Sequence, residues 1–533
     1  MKLTDVVSLS VVAVAIHAST FEPTDFNVTE ALIDSGVNVS AIPELAGLVE
    51  RSSIGACSIA CNVLKLTFGA DSVLSEGSSA YDSFTGAYWA AQQANVNPFC
   101  VFKPSSATQV SAAVLLSRLT QCPFAVKGGG HAAFAGGSSI EGGITIALEK
   151  LNEVTLSSNK KIAAVGPGNR WIRVYETLEQ DGLAVIGGRV ATVGVSGLTL
   201  GGGISHFANA YGWACDNVES YEVVTASGVI VTANVTAFPD LYSALRGGGN
   251  NFGIVTKFNM RTFALGPMWG GPRVYLPSEW DQVYTVYAKI ARNAAQDTKQ
   301  AQIVSFALQN GIQLAAADLE YSEPTPWPAI FADWKAIPAA QDLTAITNLT
   351  TVTRNLGAGI PEGIQETYWD YTYKLDRDLM KFSIDTFFGL MPAIADAPDL
   401  LPVLSFQAIT VPAMEKMQQN GGNALGLDPK DGPVYICNLA IMWTNAADND
   451  RIHKFSNTLY QRINAEAAKK GLTNDYIYMN YASPWQDVIS SYGAANKQRL
   501  KKIAAVYDPT AVFQRLQPGY FKLEGAPYGP FPA

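Results

Sequence analysis

The stretch FAVKGGGHAAFAGGS, residues 124–138, is where the fold of this chain is decided. A short apolar run ends in three glycines and His131, and more small residues follow. Glycines accept positive φ angles and leave their N–H groups pointing one way, which makes a cradle for an anionic group such as a pyrophosphate. Taken alone, the pattern also fits a tight glycine turn that carries a surface histidine.

Two further runs have the same character, TVGVSGLTLGGG at 192–203 and LRGGGNNFGIV at 245–255. Three backbone cradles indicate one long phosphorylated ligand. The GGGH run is not a Rossmann fingerprint, because that motif opens directly into a helix, whereas residues 132–148 lack a 3.6-residue period and hold four more glycines. It is not a P-loop either, because no Gly-Lys-Ser/Thr follows.

Together these motifs resemble the FAD-linked oxidases of the vanillyl-alcohol oxidase superfamily, in the fungal type of its berberine-bridge-enzyme-like branch. The resemblance runs from about residue 98 to 263 and resumes over 478–523. It rests on PFCVFKPSSATQVS, KGGGH, TVGVSGLTLGGGIS, YGWACDNV, LRGGGNNFGIVTKF, NYASPW and YDPTAVFQRLQPGYF, in this order. The resemblance implies an α+β fold, with a two-part FAD-binding domain of the PCMH type and a substrate domain whose antiparallel sheet is backed by helices.

The resemblance also implies a covalent cofactor. In that family the histidine of KGGGH is joined to the 8α-methyl carbon of the flavin, and His131 matches it. Members with a second link have a cysteine where this chain has Val190, which cannot form a thioether, so we expect one link. Val193 matches the oxygen-access position, where valine is typical of the family's oxidases, although a β-branched residue also suits a strand. The residues that the match assigns to FAD are Lys127, Gly128, Gly129, Gly130, His131, Ser138, Thr192, Val193, Gly194, Gly197, Gly201, Gly202, Ile204, Ile254, Val255 and Asn480.

Length and charge limit the domain count and the partners. A chain of 533 residues exceeds what one hydrophobic core usually serves. With 37 basic and 46 acidic residues and no basic run, the chain has no electrostatic footprint for nucleic acid. We expect a monomer that binds a small-molecule substrate and molecular oxygen. The predicted division is a signal peptide (1–18), a helical leader (19–97), the FAD-binding domain (98–266), the substrate domain (267–475, after a cluster of glycines and prolines) and a C-terminal segment (476–533) that returns to the FAD-binding domain.

The N-terminus predicts export. Lys2 precedes an apolar run over 6–16 and small residues that end at Ala18, as in a signal peptide; the alternative is a buried N-terminal strand. The run is too short to span a membrane. We therefore predict a secreted protein, or one in the lumen of the secretory pathway. Sequons for N-glycosylation agree with this and lie at Asn27, Asn38, Asn234 and Asn348.

The cysteines predict a disulfide and no zinc site. An oxidising compartment would allow either Cys57 or Cys61 to pair with Cys100. Cys57 and Cys61 have no second close pair, and the four histidines are far apart in the sequence. No metal site is therefore predicted.

Periodicity places the GGGH run at the carboxyl end of a strand, where α/β folds usually hold ligands. A strand over 100–102 leads to a helix in which Ser106 and Gln109 are spaced as a capping box, and a strand over 124–126 follows. The other predicted elements are strands over 144–148, 161–165, 221–225, 302–308 and 434–443, and helices over 170–181, 280–295, 451–471 and 495–506.

The sequence offers more than one candidate for the catalytic base. The resemblance implies either a carboxylate on a substrate-domain strand or the tyrosine of the C-terminal NY motif, helped by a lysine. In the strand VYICNLAIMW, Ile436 takes the lysine position and Asn438, which cannot accept a proton, takes the carboxylate position. Tyr481 is the best remaining base, although a free phenol has a pKa near ~10 and no positive charge beside it is evident. His206, in GGGISHFANAYG, either faces the substrate and supplies the acceptor or is a structural histidine.

These observations predict an FAD-dependent oxidase that removes two electrons from a small molecule, most simply a secondary metabolite. The resemblance implies hydride transfer to flavin N5, a proton taken by the protein, and reoxidation by oxygen. The alternatives are a flavoprotein that guides a redox-neutral cyclisation or isomerisation, an oligosaccharide or alcohol oxidase, and a secreted binding protein that has lost the cofactor. The intact glycines and His131 speak against the binding protein.

Overall fold

The computed structural model describes residues 20–39, 55–309 and 311–532. The signal peptide predicted over residues 1–18 lies outside these ranges. Within the described chain the strands form three sheets, with helices packed against them. The mixed α+β architecture expected from the resemblance is confirmed.

The first sheet carries the GGGH turn. β2 and β3 both run parallel to β4, β1 is antiparallel to β2, and the strand order is β1-β2-β4-β3. The turn begins where β3 ends, as predicted. The elements of this part are α1 (Val28–Asp34), α2 (Ala56–Phe68), β1 (Val73–Ser75), α3 (Ser79–Thr85), α4 (Ala91–Ala94), β2 (Cys100–Phe102), α5 (Ala107–Thr120), β3 (Phe124–Lys127) and β4 (Ile144–Ala147).

Helix α5 begins at Ser106, where the sequence places it, but the capping box differs. Ser106 Oγ accepts a hydrogen bond from the Gln109 N–H at 3.3 Å. The reciprocal bond from the Gln109 side chain goes to the N–H of Ser105 at 2.8 Å, not to that of Ser106. The Gln109 side chain therefore reaches one residue beyond the N-cap, to Ser105. Val110 and Val114 of α5 are buried in the core of this sheet.

Two disulfides tie α2 to this sheet. Cys61 pairs with Cys100, which confirms one of the two pairings left open by the sequence. Cys57 pairs with Cys122, at the end of α5, a bond that the sequence analysis missed. Because β1, from the predicted leader, hydrogen-bonds to β2, residues before position 98 are built into the same sheet.

The second sheet is antiparallel, in the order β5-β6-β10-β8-β9, with β7 paired to β10. The run TVGVSGLTLGGG forms the short helix α7 with glycine turns before and after it. The elements here are β5 (Val154–Leu156), β6 (Ile162–Val165), α6 (Trp171–Glu179), β7 (Leu183–Val185), α7 (Val195–Leu200), α8 (Ala208–Tyr211), β8 (Val218–Val224), β9 (Ile230–Ala233), α9 (Pro239–Leu245) and β10 (Ile254–Ala264).

The third sheet is antiparallel, in the order β14-β11-β13-β12-β17-β18-β16-β19, with β15 paired to β11. Helices α10, α13 and α15 cover one face, and the other face lines the cavity described below. The elements are β11 (Met268–Tyr275), α10 (Trp280–Arg292), β12 (Gln300–Gln309), β13 (Ile312–Tyr321), α11 (Ala332–Ala336), β14 (Gln341–Asp342), β15 (Ala345–Thr347), α12 (Leu349–Leu356), β16 (Gln365–Lys374), α13 (Arg377–Leu390), β17 (Leu401–Ile409), α14 (Val411–Met417), β18 (Val434–Trp443), α15 (Asn449–Lys470) and β19 (Thr473–Asn474).

We had expected the glycine and proline cluster at 266–272 to interrupt regular secondary structure along its whole length. The structure shows that it does so only in part. Gly270, Gly271 and Pro272 lie inside β11, and residues 265–267 alone separate it from β10. A side chain on Gly271 would come within 2.7 Å of the carbonyl oxygen of Leu343, and its φ is +138°. The glycine is therefore explained by the close approach of the chain around β14 and β15, which a local pattern does not reveal.

The C-terminal segment packs against the first two sheets. It contains α16 (Val488–Ser491), α17 (Ala494–Tyr507) and α18 (Val512–Arg515). The Phe124 N–H, at the start of β3, donates to the carbonyl of Leu516 at 2.7 Å. Gly519 packs so closely on the carbonyl of Gly136 that a Cβ would lie 1.9 Å from it. The division into domains itself stays a prediction. No helix in the described ranges has both the length and the hydropathy to cross a membrane.

Candidate active site

A cavity of about 690 Å³ lies between the glycine turns and the open face of the third sheet. On one side it is lined by the turns at 128–131, 192–197 and 249–255. On the other side it is lined by alternate residues of β13, β12, β17 and β18. Its volume is in the range of ligand sites, and both lining surfaces come from elements that the sequence had linked to a cofactor and a substrate.

The first two glycine turns touch each other through their backbones. A Cβ on Gly129 would lie 2.5 Å from the Cα of Gly194, and one on Gly128 would lie 2.0 Å from Ser196 Oγ. Any larger residue would push the turns apart. The backbone N–H groups of Gly129, Gly130 and His131 donate to no other residue of the described chain, so they are free to bind an anionic ligand in the cavity.

His131 lines the cavity at the end of the first turn. Its ring stacks on Trp89, with centroids 4.0 Å apart and planes 14° apart. Its Nε2 lies 3.3 Å from Thr192 Oγ1. Burial lowers the pKa of His131 to about 3, against a smaller opposite effect of a hydrogen bond to its own backbone. The imidazole is therefore neutral at ordinary pH.

Trp89 was missed by the sequence analysis. It lies in the region taken as a leader, upstream of every motif that carried the resemblance, and a lone tryptophan there has no pattern to single it out. The backbone N–H of Trp89 donates to the carbonyl of Gly130 at 3.3 Å, and the backbone carbonyl of Trp89 accepts from the N–H of Gly363 at 2.7 Å. It therefore fixes both the GGGH turn and the chain that leads into β16.

Most of the residues assigned to the cofactor line the cavity, and three do not. The Lys127 side chain points away from it, with Nζ 3.9 Å from the ring centroid of Tyr88 and 4.0 Å from that of Phe84. Burial lowers the pKa of Lys127 to about 8. Gly201 and Gly202 are not among the residues that line the cavity. The residues that do line the cavity are Gly128, Gly129, Gly130, His131, Ser138, Thr192, Val193, Gly194, Gly197, Ile204, Ile254, Val255 and Asn480.

Gly201 acts through close packing. A Cβ there would lie 2.1 Å from the side-chain oxygen of Asn480. Asn480 Nδ2 in turn donates to the carbonyl of Leu198 at 3.0 Å and to Tyr478 Oη at 2.9 Å. The NY motif of the C-terminal segment is thus seated on α7, which brings Tyr481 into the cavity.

His206 is not brought to this cavity. It is buried and borders a separate space of about 40 Å³ behind Arg189. Its Nδ1 lies 3.6 Å from Glu320 Oε2, and within the described chain neither ring nitrogen makes a hydrogen bond. The prediction that His206 faces the substrate is therefore replaced by a position next to a buried carboxyl group. Gly202 and Gly203, both with positive φ, form the turn that precedes this segment. Ile204 still lines the cavity, whereas His206, two residues later, does not.

Polar side chains cross the sheet side of the cavity in two rows. In one row Ser305 pairs with Ser405, with their Oγ atoms 2.8 Å apart, and Ser405 pairs with Asn438. In the other row Asp318 pairs with Ile303, and Ile303 pairs with Gln407. Asn438 Oδ1 is buried without a hydrogen-bond partner in the described chain, and Asn438 is among the residues that line the cavity.

Tyr481 meets a positive charge that the sequence did not reveal. Arg189 Nη2 donates to Tyr481 Oη at 2.9 Å and to Gln407 Oε1 at 2.5 Å. Gln407 Nε2 lies 3.3 Å from the same phenol oxygen. A guanidinium that donates to this oxygen stabilises negative charge forming there.

Arg189 is held in place by the packing of the residues before it. Gly187 and Gly188 lie against Trp171 so closely that a Cβ on either would come within 2.5 Å of the indole. Tyr175 Oη donates to the carbonyl of Gly188 at 2.8 Å. The only local signal was a basic residue after two glycines, four positions upstream of Val193, and that signal does not show where the side chain points.

Asp318 is the third residue of the cavity that the sequence analysis missed. It lines the cavity from β13, a strand whose cavity-facing positions are otherwise Leu314 and Ala316. Burial raises the pKa of Asp318 to about 7, the charge of Glu320 adds to this, and Arg189 acts in the opposite direction. An acidic residue at an inward position of an alternating strand is the signal that could have identified it.

The comparisons with known proteins agree with this geometry. A family model described as an FAD binding domain matches residues 98–234. The FAD-dependent monooxygenase tpcD of Cochliobolus heterostrophus is 35% identical, with 88% of this chain and 95% of that protein covered. The FAD-dependent monooxygenase FUP4 of Fusarium proliferatum is 34% identical, with 82% and 87% covered.

The chain belongs to the vanillyl-alcohol oxidase superfamily of FAD-linked oxidoreductases. Solved structures share the fold: xylooligosaccharide oxidase from Myceliophthora thermophila C1 has a TM-score of 0.70 at 22% identity, with 90% of this chain and 100% of that chain covered. The 6-hydroxy-D-nicotine oxidase of Arthrobacter nicotinovorans has a TM-score of 0.69 at 20% identity, with 83% and 96% covered.

The site residues of this superfamily member fit its cofactor. A flavin dinucleotide needs backbone donors for its phosphates and a flat space for its ring. The unpaired N–H groups of Gly129, Gly130 and His131 meet the first need. The space between the glycine turns and the polar rows of the sheet meets the second.

Proposed function

We propose that this enzyme holds FAD covalently at His131 and oxidises a small molecule, a secondary metabolite, by two electrons. The observation that carries the proposal is a single cavity with glycine turns on one side and polar rows of the sheet on the other. When bound, the flavin accepts a hydride at N5 and passes the two electrons to oxygen. The protein residues hold the flavin and the substrate, exclude water and receive the proton.

His131 is the attachment residue. Its neutral imidazole lines the cavity and is held by Trp89 and Thr192. Attachment would replace one C–H bond of the flavin 8α-methyl group and the N–H bond of the imidazole by a C–N bond, and the two electrons and two protons released would pass to oxygen as hydrogen peroxide. Val190 lines the same cavity and offers no thiol, so one link is proposed.

Attachment is tested without knowledge of the substrate. Acid-precipitated, denatured polypeptide should keep flavin fluorescence, and His131→Ala should lose it. Peptide mapping should place the adduct on the peptide that contains residue 131 and find no thiol-dependent second adduct. Fluorescence absent from denatured wild type, or retained in His131→Ala, would exclude attachment at this histidine.

The substrate binds under the sheet. Tyr481 contacts its reacting oxygen, with Arg189 and Gln407 holding the phenol in place, and Asn438 accepts a further hydrogen bond. Most other lining residues on this side are small or apolar, among them Ala307, Leu314, Val403 and Met442. Few polar groups in an apolar cavity favour an aromatic or otherwise apolar alcohol, phenol or amine.

The decisive measurement is anaerobic flavin bleaching with benzylic alcohols such as vanillyl alcohol, N-methylated amines and cello-oligosaccharides as probes. Tyr481→Phe and Asn438→Ala should slow bleaching by the active probe, and Tyr373→Phe is the control, because Tyr373 is buried on the helix-covered side of the sheet. Undiminished bleaching in Tyr481→Phe would remove this tyrosine from the mechanism. Conversion of a substrate without any bleaching would replace oxidation by the redox-neutral cyclisation.

Monooxygenation is the second candidate, because the relatives at 35% and 34% identity are named FAD-dependent monooxygenases. Oxygen labelled with ¹⁸O separates the two. An oxidase releases the label as hydrogen peroxide, with Val193 beside the site of oxygen access, and a monooxygenase transfers one labelled atom to the product. Turnover of oligosaccharides rather than aromatic probes would identify an oligosaccharide oxidase, whose fold the chain shares.

We also propose that the protein is exported, glycosylated and monomeric. The two disulfides support an oxidising compartment. Of the four sequon asparagines, Asn27, Asn38 and Asn348 are exposed and Asn234 is half-buried. Deglycosylation followed by mass measurement on protein from culture medium tests export and glycosylation together.

A further inference from the structure

Asp318 is a carboxyl group in the cavity wall that has no partner. It makes no hydrogen bond or ion pair to any residue that the structure describes, although it lies on the same face of β13 as Leu314 and Ala316. A carboxylate in a largely apolar wall is unfavourable for folding. Its presence at the one cavity that serves the reaction therefore points to a role in binding or chemistry.

The groups around Asp318 set its affinity for a proton. On its own strand, Glu320 disfavours a second negative charge, and the positive charge of Arg189, which also lines the cavity, favours the ionised form. The neighbouring positions of β12, Ile303 and Ser305, do not titrate. With burial as the largest effect, the pKa is raised to about 7, so the group exchanges its proton near neutral pH.

Behind this wall, Glu320 is itself next to a titratable group. His206 Nδ1 lies 3.6 Å from Glu320 Oε2, and neither atom has a hydrogen-bond partner in the described chain. The adjoining space of about 40 Å³ is large enough for a water molecule. His206 therefore lies beside Glu320 and does not line the cavity.

Tyr481 is the competing proton acceptor. Its oxygen already receives hydrogen bonds from Arg189 and Gln407. A neutral phenol must first lose its own proton before it can accept one from the substrate. The carboxyl group of Asp318, with a pKa of about 7, is partly ionised near neutral pH and can accept a proton directly. Tyr481 is thus better suited to orient the substrate oxygen than to take its proton.

We propose that Asp318 accepts the substrate proton and that Glu320 is a positioning residue that tunes it. The inference rests on the proposed oxidation. As the substrate carbon gives a hydride to the flavin, the hydroxyl proton moves to an Asp318 carboxylate oxygen, and the C–O bond becomes C=O. Asp318 would give up this proton when bound FAD passes the two electrons and the hydrogen of the hydride to oxygen; hydrogen peroxide would leave, and the Asp318 carboxylate would be restored.

The first test needs no substrate. Infrared difference spectra of the purified flavoprotein, titrated from about pH 5 to about pH 9, should show a carboxylic C=O band that disappears near pH ~7. The band should be missing in Asp318→Asn. In Glu320→Gln it should titrate at lower pH, because a neighbouring negative charge is removed. A band that persists unchanged in Asp318→Asn would overturn the assignment.

The second test is anaerobic bleaching by whichever named probe reduces the wild type. Asp318→Asn should be about 10²-fold to 10⁴-fold slower, and its remaining rate should lose the rise with pH around neutrality. Asp318→Glu should recover part of the rate. Glu320→Gln should keep the maximal rate and shift the rise to lower pH, which a purely structural role would not do.

Two outcomes contradict the proposal in different ways. If Asp318→Asn bleaches at the wild-type rate with the wild-type pH profile, Asp318 is not the acceptor, while the oxidation itself stands. If the pH-dependent rise is lost in Tyr481→Phe and retained in Asp318→Asn, the acceptor is Tyr481. A wild type that never bleaches while converting a probe overturns the proposed oxidation, and the proton transfer to Asp318 with it.

Discussion

Gly129 and Gly194 show what a single residue contributes to this site. Their α-carbons are so close that a Cβ on either would lie 2.5 Å from the backbone of the other. This contact joins the GGGH turn to the turn before α7, and both turns line the cavity. The requirement for glycine here comes from close approach, because neither residue has a positive φ.

At this scale we predict that Gly129→Ala separates the two turns. The substitution should cost about 1–3 kcal/mol in the free energy of unfolding, as overpacking usually does, and lower the flavin content of the purified protein. Gly389→Ala is the matched control, because nothing lies within 4 Å of its Cβ position. Thermal unfolding and the ratio of flavin to protein absorbance measure both effects. Equal flavin content in the two variants would contradict the prediction.

Helix α2 shows how an element outside the motifs becomes part of the fold. Cys61 joins it to β2 and Cys57 joins it to the end of α5, with sequence separations of 39 and 65 residues. Its buried face packs into the same core as β2, β3 and β4. Both disulfides therefore restrain the unfolded chain around the sheet that carries the GGGH turn.

We predict that the double variant Cys57→Ser, Cys122→Ser loses about 2–4 kcal/mol of stability, chiefly because the unfolded chain regains the entropy of a closed loop. Urea unfolding with and without a thiol reductant measures it. Reductant should lower the midpoint of the wild type by more than that of the double variant, which keeps one disulfide. A wild-type midpoint that does not respond to reductant would show that these bonds do not stabilise the fold.

The stability of the whole molecule is coupled to pH through carboxyl groups inside the third sheet. Glu366 on β16 is fully buried, and both of its carboxyl oxygens lack a hydrogen-bond partner in the described chain. Burial raises the pKa of Glu366 to about 10. The folded protein therefore keeps this proton over a pH range in which the unfolded chain, with an ordinary glutamate pKa near ~4.3, has lost it.

Proton linkage gives the direction in which stability changes with pH. Between the two pKa values the folded state binds more protons, so stability falls as pH rises from about 4.5 to about 10. We predict that Glu366→Gln, which stays neutral, is more stable than the wild type by at least about 1 kcal/mol near pH ~8, and that the gain grows with pH. Glu362→Gln, at an exposed position, is the control. The prediction is contradicted if urea unfolding gives the same difference in stability between Glu366→Gln and wild type at all pH values.

Much of the framework could be predicted because it depends on local chemistry. Glycine runs specify backbone turns whatever surrounds them, and periodicity placed β2 and β18 at the observed bounds and the start of α5 at Ser106. The resemblance of the motifs then determined the superfamily, the FAD-binding fold and a cavity that contains His131, Tyr481 and Asn438.

What only the tertiary structure decided is which distant residues meet. One cavity is lined by three residues from distant parts of the chain. Arg189 comes from a loop of the second sheet, Asp318 from a strand of the third, and Trp89 from a segment before the first motif. His206, close to a glycine cradle in sequence, was turned away from it. Such contacts depend on strand register and on the approach of loops across sheets. Because their energy is shared among residues far apart in the chain, no local sequence pattern predicts them.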